Sequence, residues 1–194
     1  MLEITNEDRR MLSDPRMTAA FAAMVGTQTL TCMALHDKFN FGKKRISALS
    51  DEVNRHAERI SGCGDTFSAY RNKLDAITDP RLKRDYMAWV KKGIGVQGSG
   101  KRKMSEAGLE YSYVLMLWAL HTLYGFGRDR LVRVQKYMKL CAGLMRDNEI
   151  SIVEFMKCLQ LEIHVLFLEL EVYEKKYGPI DLGPLRCEPM EVTK

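Results

Sequence analysis

Apolar positions along this chain recur at steps of three and four residues, the spacing that lines one face of an α-helix, and hardly anywhere alternate as in a half-buried strand. Asp14-Pro15 offers an N-cap followed by proline at the first helical position. An Ala- and Met-rich helix is predicted from there to about Phe39, with Cys32, Leu35, His36 and Phe39 on its later face. Asn40-Phe41-Gly42 forms a turn, Lys43 to about Ser61 a second helix stopped by Gly62-Cys63-Gly64, and Thr66 caps a third that runs to about Ile77. Thr5-Asn-Glu-Asp8 has capping-box spacing for a short helix ahead of these.

The same pattern is then written again. Ala34-Leu35-His36 to Ile46 returns 85 residues later as Ala119-Leu120-His121 to Leu131, with six of thirteen positions identical. Apolar pairs such as Leu49 with Val134, Val53 with Met138, Ile60 with Met145 and Leu74 with Leu159 carry the register on to about Ile77 and Glu162. A period of this length predicts duplication of one supersecondary unit. The expected fold is therefore all-α: two homologous three-helix units packed as one pseudo-two-fold helical domain. Its segments are 1–77, a connector 78–104, the second unit 105–178 and an extended tail 179–194.

Between the units, Thr78-Asp79-Pro80 starts a helix with Leu82, Tyr86, Trp89 and Val90 inward and Arg81, Arg84 and Lys91 on the other side. Lys91 to Lys103 has four glycines and reads as a flexible basic loop, after which Ser105-Glu106 opens the next helix. The final helix, from Ser151 to about Tyr177, carries two apolar seams. Met156, Leu159, Ile163, Leu166, Leu170 and Tyr173 form one; Leu161, Val165, Leu168 and Val172 form the other. Two seams predict burial on two sides, the second against unit one or a second copy of the protein.

Composition narrows the classes. Charged residues at 28% and hydrophobic ones at 46% exclude global disorder. Five scattered cysteines without C-x-x-C spacing suit a reducing compartment and exclude a thiolate zinc site, so a cytoplasmic location is expected. The most apolar stretch, Leu159 to Val172, is interrupted by charges and is no membrane span. The net charge is +5, and residues 78–103 alone hold eight Lys/Arg against two Asp.

The turn repeated in both units is where a ligand fits best. Helix N-termini expose unpaired N–H groups and a positive dipole end, which disfavours cations by roughly 0.3–1 kcal/mol. Yet Lys43, Lys44 and Arg45 in one unit, and Arg128 and Arg130 in the other, occupy that first turn. Bound phosphate would explain them; so would side chains reaching back to the preceding helix's last carbonyls. Gly125-Phe126-Gly127 followed by basic residues resembles the glycine-hydrophobic-glycine hairpin of helix-hairpin-helix DNA-binding motifs, with Asn40 in place of the first glycine in unit one. The resemblance implies a hairpin backbone that holds phosphates without reading sequence. More loosely, the ALHxxFxFG-basic pattern is similar to small uncharacterised prophage proteins, which implies no activity.

The expected function is thus non-enzymatic nucleic-acid binding. Its candidate residues are Lys43, Lys44, Arg45, Arg81, Arg84, Lys91, Lys92, Lys101, Arg102, Lys103, Gly125, Gly127, Arg128 and Arg130. The alternative is a protein-interaction module or inhibitor of a host factor, gripping or dimerising through Leu161, Val165, Leu168 and Val172. His36 and His121 read as packing residues that close the turn, because no acid or thiol recurs beside them at ligand spacing. No metal, cofactor or catalytic group is expected. The G-x-G-x-x-G match at 93–98 and the Walker-like match at 95–101 follow no strand, and Arg102 stands where magnesium needs Ser or Thr.

Overall fold

The computed structural model describes residues 15–62, 64–94 and 99–183, and over these the protein is all-α, with eight helices and no strand. They are α1 (Pro15–Phe39), α2 (Lys43–Ser61), α3 (Phe67–Asp75), α4 (Pro80–Ile94), α5 (Ser99–Tyr124), α6 (Arg128–Arg146), α7 (Ile152–Ile163) and α8 (Leu168–Tyr177). The candidate helix at Thr5, the Asp14 cap and the tail from 184 lie outside the described residues.

The two long helices α1 and α5 form the centre and pack on each other. Small residues let their backbones approach: Ala20 and Ala23 are buried, and a Cβ on Gly108 would lie 2.5 Å from the Ala20 carbonyl oxygen. Ser112 Oγ donates to the Met24 carbonyl at 3.2 Å across this crossing. Buried Thr27, Thr29 and Thr31 on α1 return their hydroxyls to carbonyls four residues back, so polar side chains sit in the core without loose donors.

The remaining helices exchange partners. α2 and α3 pack on α5, whereas α6 and α7 pack on α1. At matching places Tyr137 on α6 donates to Asp37 on α1, and Thr122 on α5 donates to Glu52 on α2, so donor and acceptor trade sides. One core cluster runs through all of this, from Ala23, Leu30 and Leu35 to Leu117, Leu120, Met138 and Leu159. Each half thus supplies the surface on which the other half's second and third helices are buried.

α4 has no such counterpart. It lies along α6 in the same direction, with Asp79 bonded to Gln135, Asp85 to Lys139 at 2.7 Å, and Trp89 against Gly143. Asp79 starts it as predicted, accepting from the Arg81 N–H at 2.8 Å.

Three expectations are corrected. The basic loop is mostly helix: Lys91 and Lys92 end α4, while Lys101, Arg102 and Lys103 lie in α5, which opens at Ser99 rather than Ser105. α-Helix costs the lysines and arginines little, and Glu106 draws in both Lys91 (3.0 Å) and Arg102 (3.2 Å), which outweighs the turn signal of the glycines. The final helix breaks at His164, which adopts φ 57 and lets Val165 N–H reach the Leu159 carbonyl. Val165 and Phe167 then turn towards the core and Leu170 buries beside Val25 and Met156, contacts an unbroken helix would miss. Leu182, assigned to the extended tail, is buried.

Thr18–Phe39 is long and apolar enough to cross a membrane by length and composition, and in this fold it is the central core helix.

Candidate nucleic-acid interface

Both corners are built alike. Asn40 and Gly125 take left-handed backbones, φ 53 and φ 61, ending α1 and α5. Phe41 and Phe126 then send their N–H groups back to the Leu35 and Leu120 carbonyls at 3.1 and 3.2 Å, and Gly42 and Gly127 cap α2 and α6 in extended conformation. Phe41 with Ile46, and Phe126 with Leu131, are buried at the spacing of a hydrophobic staple. His36 and His121 close each corner, donating from Nδ1 to the Phe41 carbonyl at 3.3 Å and the Phe126 carbonyl at 2.9 Å.

The two corners meet. Phe39 packs on Phe126 and Phe41 on Tyr124, each pair 4.9 Å apart, and the Tyr124 hydroxyl donates to the Arg45 carbonyl at 2.8 Å. Two helix N-termini 85 residues apart in sequence therefore share one end of the molecule.

The basic residues there divide by role. Arg130 donates to the Gly125 carbonyl at 2.8 Å and lies over the Phe126 ring, so it caps the preceding helix. Arg45 stacks on Phe41 in the same way. Lys43, Lys44 and Arg128 are exposed in the first turns of α2 and α6. α6 also has Asp129 in its first turn, which offsets its dipole; α2 has no acid there. Gly125 and Gly127 have open space where a Cβ would be, and the first N–H groups of a helix have no partner within it.

The other candidates sit elsewhere. Arg81 and Arg84 are exposed on α4, beside the middle of α6. Lys101, Arg102 and Lys103 begin the helix whose far end is Tyr124, about 35 Å away at 1.5 Å per residue. Lys91 and Arg102 are tied to Glu106, and Lys92 ends α4. Of the interface candidates, Leu161, Leu168 and Val172 are exposed, while Val165 is half-buried against the core.

Two groups escaped the sequence reading. Glu162 at the end of α7 places Oε2 2.7 Å from His36 Nε2, a partner 126 positions away that no spacing rule finds. His56 is buried between α2, α3 and α5: Nδ1 faces the Tyr70 hydroxyl and Nε2 faces Thr122 Oγ1, both at 3.2 Å, and Tyr70 in turn donates to Asp65. Burial lowers its pKa below 6.5, with the Glu52 carboxylate opposing. Each of these polar groups has a partner. A cavity of about 370 Å³ between α1, α4 and the α6–α7 turn is lined by Ala22, Leu30, Val90 and Met145; its one ionisable group, Glu154, completes the Ser151 capping box.

Comparison with family models, with curated proteins and with solved structures returned no match to this chain.

Proposed function

We propose that this protein is a non-enzymatic nucleic-acid-binding protein that grips backbone phosphates at the paired corners. The observation that carries the reading is the meeting of two glycine-capped helix N-termini with Lys43, Lys44 and Arg128 exposed in their first turns. Open N–H groups, converging dipoles and free cations all favour an anion at the same place. The contact surface centres on Lys43, Lys44, Gly125, Gly127 and Arg128, with Arg45 and Arg130 holding the corners in shape. Phosphate contacts of this kind carry no base information, so binding is largely independent of sequence.

Anisotropy titration of labelled single- and double-stranded DNA and RNA at low salt tests it. Charge reversal at Lys43, Lys44 and Arg128 is expected to remove most affinity and to lower the log–log salt slope by about 3. Undetectable binding of all four probes by the unaltered protein refutes the reading.

A second reading is favoured by the α7–α8 segment, where Leu161 on α7, Leu166 in the turn, and Leu168, Val172 and Tyr177 on α8 are exposed. Apolar exposure of this kind marks interaction surfaces, and a protein partner or second copy would cover it. Light scattering of Leu168→Lys and Val172→Lys variants against the parent reads that alternative directly.

A further inference from the structure

We propose that His36, Asp37 and Glu162 form a binding site for a divalent transition-metal ion of the zinc or manganese class. Their donor atoms all lie within 4.8 Å of one another, so small side-chain rotations bring all three to one ion. His36 and Glu162 are each partly open to solvent, so an ion has a path in.

The hydrogen bonds around the group point the same way. A carbonyl oxygen only accepts, so the bond from His36 to the Phe41 carbonyl puts the proton on Nδ1. The lone pair of neutral imidazole is then on Nε2, 2.7 Å from a carboxylate oxygen. Two electron-rich atoms at that distance share a positive charge, supplied by a second ring proton or, once the side chains part by a few tenths of an ångström, by a metal ion. A ligating histidine ordinarily donates its other N–H to a carbonyl in this manner. Asp37 is held by Tyr137, whose hydroxyl occupies Oδ2 and leaves the other oxygen available.

The second corner is an internal control. His121 closes it with the same Nδ1 bond, yet Thr122 and Ile77 stand where the first corner has Asp37 and Glu162. The acids are therefore not needed to build the corner. Both also oppose the local field: Asp37 lies in the last turn of α1 and Glu162 in the last turn of α7, where helix dipoles disfavour negative charge. α7 has no base in that turn, and Lys38 is turned onto the Tyr137 ring, 4.7 Å from its centroid. One imidazole and two carboxylates neutralise a divalent ion and, through the nitrogen, favour zinc or manganese over magnesium.

The test uses untagged full-length protein stripped with chelator, titrated calorimetrically with Zn²⁺, Mn²⁺ and Mg²⁺. Expected are one equivalent of Zn²⁺ or Mn²⁺ bound at least about 100-fold more tightly than Mg²⁺. Glu162→Gln and Asp37→Asn, checked for helicity, should each weaken that binding at least about 10-fold. His164→Asn, on the same turn as Glu162, should leave it intact. Absence of stoichiometric binding, equal affinity for Mg²⁺, or loss in the His164 variant with retention in the Glu162 variant overturns the proposal; the pair is then a proton-mediated ion pair.

Discussion

α2 and α6 begin from the same glycine-capped corner and run for the same 19 residues, yet they live in different surroundings. α2 buries one face, with Ile46, Leu49, Val53 and His56 inward and charges opposite. α6 buries two: Leu131, Val134 and Met138 are among the residues it buries, and Gln135 and Gly143 meet α4. The cause lies downstream of each. After α3 the chain crosses at Thr78-Asp79-Pro80 and lays α4 along α6, whereas after α7 it reverses at His164 and folds α8 back onto α7. The corner fixes how a helix starts; what arrives later fixes how much of it is covered.

Four experiments probe that comparison. The largest effect is expected where both halves share one contact. Gly108→Ala drives a Cβ into the Ala20 backbone and should cost about 3 kcal/mol in urea unfolding, lowering both halves in one transition. Unfolding in two transitions would mean that the halves do not share a single core. Next, Gln135→Ala removes both bonds to Asp79 and the 2.6 Å bond to the Tyr113 hydroxyl, for about 2 kcal/mol. The matching Ser50→Ala on α2, exposed, should stay within about 0.5 kcal/mol. Equal costs would mean α6 gains nothing from its second face.

Corner chemistry gives a smaller contrast. Gly125→Ala forces a Cβ into the left-handed region for about 1 kcal/mol, whereas Asn40→Gly, at φ 53, should be neutral or stabilise by a few tenths. A cost for Asn40→Gly would show that the Asn side chain contributes more than its backbone tolerance. The gentlest probe is pH. His56 has a lowered folded pKa, so the unfolded chain takes up a proton first as pH falls below 6.5. Its contribution is thus lost between 6.5 and the lower folded value, and the urea midpoint should drop there. At the matching place α6 has Cys141, a thiol whose pKa burial raises and which does not titrate in that window. His56→Gln should flatten the acid slope; an unchanged slope would assign it to other groups.

Much of this architecture could be read from the residues. Pro15, Ser61 and Ser151 mark helix limits that the structure keeps, because caps and stops are decided within a few residues. Glycines between Gly93 and Gly100 misled, since Glu106 also ties down Lys91, a partner that composition does not encode. The break at His164 was hidden too: no glycine or proline announces it, and only the burial of Leu170 against Val25 and Met156 repays the strained turn. At the candidate site, the glycines and cations were visible in sequence, but their division into capping Arg130, stacked Arg45 and exposed Lys43, Lys44 and Arg128 was not.

Sequence alone therefore determined most of the helix limits and the two corners, all products of contacts spanning three to six residues. Tertiary structure alone decided that α2 crosses to α5 and α6 to α1, that the corners touch through Phe39, Phe41, Tyr124 and Phe126, and that Glu162 reaches His36. Those outcomes depend on which apolar faces find each other, and a helical stripe specifies that it must be buried without naming its partner.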